Sequence, residues 1–298
     1  MSTDGIAAAA AGTWTLGDTT VNRMGFGSMR ITANPDRERA ISVLRRAVEL
    51  GVNHIDTAAF YRSPGGTLGV GAGPVRYATE LIREALAPYP DDLVITTKVG
   101  PGDDPSTGFY QATTPAQLRS QVEENLRRLG RDHLDVVNLR IMKQPGGDSI
   151  ADRFGALAQL RDAGLIRHLG LSNVRPDHLD EAQAIAPVVC VQNSYAIDRH
   201  RTDDEFLRKC AERGVAFVPF FAIAGMRREA GAAADHSAGV RAVAAAHGAT
   251  PHQVRLAWTL HQGPHVLAIP GTGNPDHLVQ NIAAGALRLS AGELASLG

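Results

Sequence analysis

The chain has 298 residues with 30 basic and 31 acidic side chains, long enough to bury a large core either as one barrel or as two smaller domains. The near-even charge balance argues against a polyanion-binding surface, so nucleic acid is not an expected partner. Only Cys190 and Cys210 are present, both in apolar or helical contexts, which excludes a disulfide framework or a zinc knuckle and points to buried thiols in a reducing, cytoplasmic compartment.

The alanine run within residues 1–12 lacks a basic leading region and is only weakly apolar, so it reads as a disordered lead-in rather than a signal peptide. No stretch approaches the ~18 apolar residues of a membrane span, and no membrane is expected. Trp14-Thr-Leu-Gly17-Asp18-Thr-Thr-Val21 alternates apolar and polar around Gly-Asp, which predicts a small β-hairpin capping one end of the fold. Residues 24–30 read as a strand with glycines where backbone must approach something closely. Ile41, Leu44, Ala47 and Val48 share helical spacing over 35–50, and Gly51 closes that helix.

The next stretch organises the rest. Val52 to Ile55 predicts a short buried strand that ends in Asp56 and opens into a loop carrying Tyr61. Leu93-Val-Ile-Thr-Thr-Lys98 predicts a second strand ending in a charge, so that Lys98 can pair with Asp56 beside the Tyr61 hydroxyl. A phenol titrates near ~10 in isolation, and a buried cation beside it favours phenolate, which suits Tyr61 to general acid work near neutral pH. Between the two strands lies Ser63-Pro-Gly-Gly-Thr-Leu-Gly69-Val-Gly71-Ala-Gly73. A dinucleotide fingerprint needs its glycines directly between a strand and a helix, so this run reads as a flexible connection or a mobile lid rather than a phosphate cradle.

From residue 75 onward, helices to 86 and over 114–129, 149–163, 176–186 and 202–213, with two more within 235–262, alternate with strands. The strands are placed at 93–99, 134–141, 168–173, 188–194, 215–221 and 266–270. No linker rich in Pro, Ser or charge divides the chain, so residues 1–298 are expected to form a single domain. Repeated βα units predict the α/β class and an (α/β)8 TIM barrel with an N-terminal β-hairpin cap; an open doubly wound sheet is the alternative.

In a barrel of this kind the site is built where strands finish. Asn138 and Arg140 fall late in one strand, Ser172 and Asn173 close another, and Gln192 and Asn193 a third. Buried polar groups left unpaired cost roughly 1–3 kcal/mol each, and one bound polar ligand would satisfy several. His252, His261 and His265 lack a carboxylate at ligand spacing, so no metal site is expected and exposed or capping roles are assigned to them.

Asp56-Thr-Ala-x-x-Tyr61, Lys98 after Thr-Thr, Leu-Gly-Leu-Ser172-Asn173, Gln192-Asn-x-Tyr195 and Ile-Pro-Gly271-Thr272-x-Asn274-Pro-x-His277-x-x-Gln280-Asn281 together resemble the aldo-keto reductases. The resemblance implies the same barrel, an NADPH (NADP) cofactor across the strand ends, with NADH open as an alternative, and reduction of a small-molecule aldehyde or ketone. It makes Tyr61 the proton donor with Lys98 and Asp56 as its tuning pair. It gives Ser172, Asn173 and Gln192 to the nicotinamide carboxamide, Phe220 to the stacking aromatic, and Gly27, Ser28 and Met29 to the nicotinamide ribose. Gly271, Thr272, Asn274, His277, Gln280 and Asn281 match the region that holds the adenosine half and its 2′-phosphate. Many members place a Lys and an Arg where this chain has Gly271 and His277, and backbone N–H groups of a helix starting near Pro275 are expected to assist.

The family's catalytic His aligns with Arg140 in Leu134-Asp135-Val-Val-Asn-Leu-Arg140, a run that resembles the bacterial pyridoxal reductase branch. Arg offers a permanent charge and a planar fork of donors, suited to a carbonyl with an anionic neighbour, as in reduction of pyridoxal to pyridoxine. A structural salt bridge to Asp135 or another acid is the competing role for Arg140. The resemblance also leaves two other activities open: a slow cofactor-sensing subunit of a partner complex, and Schiff-base chemistry on a Lys98 free of Asp56. A monomer or weak homo-oligomer is expected.

Overall fold

The computed structural model describes residues 5–104, 108–142, 148–198, 203–223 and 236–297. The expected disordered lead-in is not what residues 5–12 form; residues 1–4 lie outside the described residues. Ala8–Ala11 is a 3-10 turn with Ala8 and Ala11 buried. Ala8 N–H donates to Leu50 O at 2.8 Å, and the small Ala11 nests against Gly285. Packing of small side chains, invisible in local propensity, orders this segment.

The hairpin forms as expected from strands Thr13–Leu16 and Thr19–Asn22. Gly17 turns between them with φ 71°, and its missing side chain leaves room for His168, whose ring would otherwise lie 2.4 Å from a Cβ. Asp18 ties the turn to the barrel, accepting from Arg167 Nη2 at 2.7 Å and meeting His168 Nε2 at 2.9 Å. Leu16 and Val21 then plug the barrel floor against Val94, Val136, Cys190 and Leu267.

The barrel strands are β1 (Phe26–Gly27), β2 (His54–Asp56), β3 (Val94–Val99), β4 (Leu134–Arg140), β5 (Ile166–Ser172), β6 (Val188–Gln192) and β7 (Ala216–Phe217). They pair in parallel, each with its sequence neighbours, as one 7-stranded sheet. Residues 266–268 complete the circle: Val266 bridges to Phe217 and Ala268 bridges to Met24, both in parallel. The protein is thus an (α/β)8 barrel, and an open sheet is ruled out by this seam. The first, seventh and eighth strands are shorter than expected, because the chain departs soon after pairing. Past Gly27 the backbone tightens into a 3-10 turn, Met29–Ala33.

Helices α1 (Arg37–Glu49), α2 (Ala78–Leu86), α3 (Pro115–Leu129), α4 (Ala151–Asp162), α5 (Pro176–Gln183), α6 (Asp204–Glu212), α7 (Ala238–Ala246), α8 (Pro251–His261) and α9 (Pro275–Ala283) follow the strands. Their starts are written locally. Thr114 and Gln117 form a capping box at α3, and Thr250 and Gln253 form another at α8, each with Pro in the first turn. Among the described residues no helix is long and apolar enough to cross a membrane.

Candidate active site

The charged strand ends meet inside the barrel mouth. Lys98 Nζ donates to Asp56 Oδ1 at 2.7 Å, to Asp56 Oδ2 at 2.8 Å and to Thr57 O at 3.0 Å. Both side chains are nearly inaccessible, at 1% and 5% exposure. An ammonium has three N–H donors, and all three are engaged. Schiff-base chemistry needs a free lysine, which this geometry denies. Gln192 Nε2 donates to Asp56 Oδ2 at 2.8 Å, extending the cluster to β6.

Tyr61 stands over this pair. The Lys98 ammonium lies 4.8 Å from the centre of the Tyr61 ring, and Phe60 meets Tyr61 edge-on at 5.2 Å. Tyr61, Lys98 and Asp56 are therefore brought together, but the cation is set against the face of the Tyr61 ring and its donors go to Asp56 and Thr57 rather than to the hydroxyl.

Above it opens a cavity of about 650 Å³. Its walls include Asp56, Tyr61, Arg140, Gln192 and Phe220, the run Gly271, Thr272, Asn274, His277, Gln280 and Asn281, and Gly27 and Met29. Four of the expected residues are brought close but do not line it: Ser28, Lys98, Ser172 and Asn173. Ser28 is fully buried and its N–H donates to Asp56 O at 2.9 Å. Asn173, with φ 56°, donates from Nδ2 to Ile141 O at 2.8 Å, so that side of its amide serves the barrel wall. Ser172 Oγ accepts from Arg140 Nη1 at 2.9 Å.

Arg140 does not make the salt bridge to Asp135. That carboxylate sits at the opposite end of β4, where it accepts from Arg131 Nη1 at 2.9 Å and from Ile95 N–H at 2.9 Å. The Arg140 guanidinium carbon instead lies 5.0 Å from the centre of the Phe220 ring. Phe220 is a cavity wall rather than core filling. The next residue, Phe221, has φ 64° and meets Phe220 edge-on at 5.0 Å. A bulky side chain in that backbone region costs about 1–3 kcal/mol, strain of the kind found at functional sites.

Several buried polar atoms around the ion pair lack a partner among the described residues: Ser28 Oγ, Thr57 Oγ1, Asn138 Nδ2 and Gln192 Oε1. Gln192 lines the cavity, so its Oε1 is a ready acceptor for a bound amide or for water. Cys190, just below, approaches Asn138 Oδ1 at 3.2 Å, and burial pushes its thiol pKa up to about 12, as it does for Cys210. Both thiols are inert.

The seam of the barrel explains the missing lysine. A Cβ on Gly271 would lie 2.4 Å from Gly27 O, and one on Gly27 would lie 2.6 Å from Ile269 O, so β1 and the closing strand touch backbone to backbone. No side chain fits there without opening the seam. The α9 N-terminus is also partly committed, since Asn274 Oδ1 accepts from Asp276 N–H at 2.9 Å.

Several contributors to the cavity were not assigned from sequence spacing, and the glycine-rich loop, expected as a flexible connection or a mobile lid, supplies part of its wall. Thr67, Leu68 and Val70 belong to the glycine-rich loop, whose ends pair as Arg62–Ser63 against Arg76–Tyr77 and whose base is tied by Arg76 to Thr32 O at 3.0 Å. Arg30 enters from the turn after β1. His252 enters from α8, which α9 holds close through Gln253 Nε2 donating to Gln280 O at 3.0 Å. Its assignment to an exposed or capping role is corrected, as is that of His265. His265 is buried, with Nε2 3.1 Å from Leu207 O, and burial lowers its pKa.

Pyridoxine 4-dehydrogenase of Escherichia coli is 44% identical over 295 residues, covering 96% of each chain. A thermostable aldo-keto reductase crystallised with the inhibitor epalrestat superposes with a TM-score of 0.76 at 29% identity, covering 96% of this chain and 98% of that one. An aldo-keto reductase from Klebsiella pneumoniae crystallised with NADPH gives a TM-score of 0.77 at 27% identity, covering 96% and 93%. The model of the Aldo/keto reductase family matches residues 23–297, nearly the whole barrel with its strand-end cluster, and the chain belongs to that family.

Proposed function

We propose that the protein is an NADPH-dependent reductase of aldehydes that carry an anionic oxygen beside the carbonyl, with pyridoxal as the representative substrate. The observation that carries this is the saturated, buried Lys98–Asp56 pair set against the face of Tyr61 on the cavity wall. Family membership and the similarity to a pyridoxine 4-dehydrogenase support the reaction class.

Bound NADPH supplies the hydride that reaches the carbonyl carbon. Tyr61 delivers the proton to the carbonyl oxygen, and the Lys98 ammonium stabilises the phenolate left behind. Asp56 keeps that lysine charged in its buried position. Gln192 Oε1, Ser172 and the Phe220 face suit a planar ring bearing an amide, because they offer an acceptor, a hydroxyl and a π surface. Arg140 presents its fork to the carbonyl oxygen and to a neighbouring phenolate together. It also stabilises the alkoxide that develops during reduction.

The test is NADPH oxidation across a panel of aldehydes that includes pyridoxal, salicylaldehyde and benzaldehyde. Tyr61→Phe is expected to lower kcat by roughly 10³-fold while the NADPH Kd stays within about twofold. A variant turning over near the wild-type rate removes Tyr61 as the acid. Arg140→His is expected to cost salicylaldehyde and pyridoxal about tenfold more in kcat/KM than benzaldehyde. Equal losses on all three would remove the anionic oxygen from the substrate definition.

A further inference from the structure

Arg140 touches the same two groups that a nicotinamide ring is proposed to use. Its Nη1 donates to Ser172 Oγ at 2.9 Å, and its planar guanidinium lies with Cζ 5.0 Å from the Phe220 ring centre. A flat cation set over an aromatic face and bonded to a hydroxyl imitates a flat aromatic ring that bears an amide. Among the described residues no carboxylate lies within ion-pair distance of Arg140, so a neutral hydroxyl and a π face hold it. Those contacts can be exchanged without stranding a buried counter-charge.

The Arg140 backbone cannot follow its side chain away. Arg140 pairs with Ser172 across the sheet, its carbonyl accepts from Gln111 Nε2 at 3.3 Å, and the next N–H, that of Ile141, donates to Ser172 O at 3.0 Å. Displacement is limited to rotation about side-chain bonds, which leaves the charge beside the seat. The other cation at this end, Lys98, is neutralised by its direct contacts with Asp56. Arg140 therefore contributes a positive charge with no carboxylate partner among the described residues, beside the seat itself.

We propose that Arg140 occupies the nicotinamide seat in the cofactor-free protein and, once displaced, makes the site favour the neutral reduced ring over the cationic oxidised one. This rests on the assignment of Ser172 and Phe220 to the nicotinamide. Like charges held a few ångströms apart in a partly buried site repel, whereas the reduced ring carries no charge to be repelled. The device weakens NADP⁺ relative to NADPH, so the protein loads the reduced cofactor in preference and releases the spent one readily, while hydride transfer on the protein is made less favourable by the same factor.

Binding of NADPH and NADP⁺ to the full-length protein, measured by calorimetry without substrate, decides the matter. In Arg140→Met the ratio of the NADP⁺ Kd to the NADPH Kd is expected to fall by about tenfold, with neither cofactor bound more weakly than by wild type. Arg140→Lys keeps the charge, and is expected to keep the wild-type ratio and to report on folding. A ratio in Arg140→Met within about threefold of wild type, or weaker binding of both cofactors, overturns the proposal. Ser172→Ala and Phe220→Leu test the underlying assignment separately. If neither weakens NADPH, the nicotinamide seat lies elsewhere whatever Arg140→Met shows.

Discussion

The two ends of the barrel are built from the same strands and solve opposite problems. Val94, Val136 and Cys190 begin the inward rows of β3, β4 and β6 and pack on the hairpin residues Leu16 and Val21. Farther along those strands come Lys98, Asn138 and Gln192, all buried. The floor is closed by apolar contacts that the chain supplies for itself. The mouth leaves Ser28 Oγ, Thr57 Oγ1, Asn138 Nδ2 and Gln192 Oε1 without partners among the described residues. A folded chain tolerates that cost where a ligand or water completes the hydrogen bonds, so stability concentrates at one end and chemistry at the other.

Removing Lys98 should break the contrast most severely. Lys98→Met strands Asp56 beside Gln192 in a site with 5% exposure, and about 3–5 kcal/mol of stability is expected to go along with activity. Urea unfolding measures it, and a loss under about 1 kcal/mol would show that the pair contributes little to the fold.

At the floor, Leu16→Ala is expected to cost about 3 kcal/mol, because Leu16 is only 1% exposed and plugs the barrel. Its kcat per folded molecule should be unchanged. A parallel fall in kcat would mean that the two ends are coupled.

The smallest expected effect concerns pH. His54 begins β2, and burial lowers its pKa to about 4. As pH falls below the ordinary value near ~6.5, the unfolded chain takes up this proton first, so stability is complete above that value and is lost on the way down to the folded pKa. The loss reaches roughly 2 kcal/mol at about pH 5 and roughly 3 kcal/mol once pH is below the folded pKa. His54→Asn should flatten the stability profile across that window. Glu293, held at about 2 by its hydrogen bonds to Ser290 and by His247, acts mainly at lower pH, whereas His265, whose pKa burial also lowers, keeps part of the slope in this window.

How much of this was readable beforehand depends on the range of the forces involved. Alternating strand patterns, capping boxes and glycine stops are local, and they marked the βα repeats and the charged ends at Asp56, Lys98 and Arg140. Strand lengths were less legible. Where β1 and β7 stop depends on what lies across the seam, and the closing segment is held by bridges to Phe217 and Met24 far away in sequence. Ala8 and Ala11 looked like a loose tail because nothing local shows that Leu50 and Gly285 will receive them.

The sequence by itself determined the barrel, the hairpin cap and the Tyr61–Lys98–Asp56 cluster, because βα repeats and charges at apolar strand ends are patterns within short windows. Only the tertiary structure decided that Arg140 turns from Asp135 to Ser172 and Phe220. It also decided that Gly271 has no room for a side chain, and that Arg30, His252 and the tip of the 62–75 loop share one cavity with Tyr61. These outcomes depend on which distant surfaces are pressed together, and close packing settles that only when the whole circle has closed.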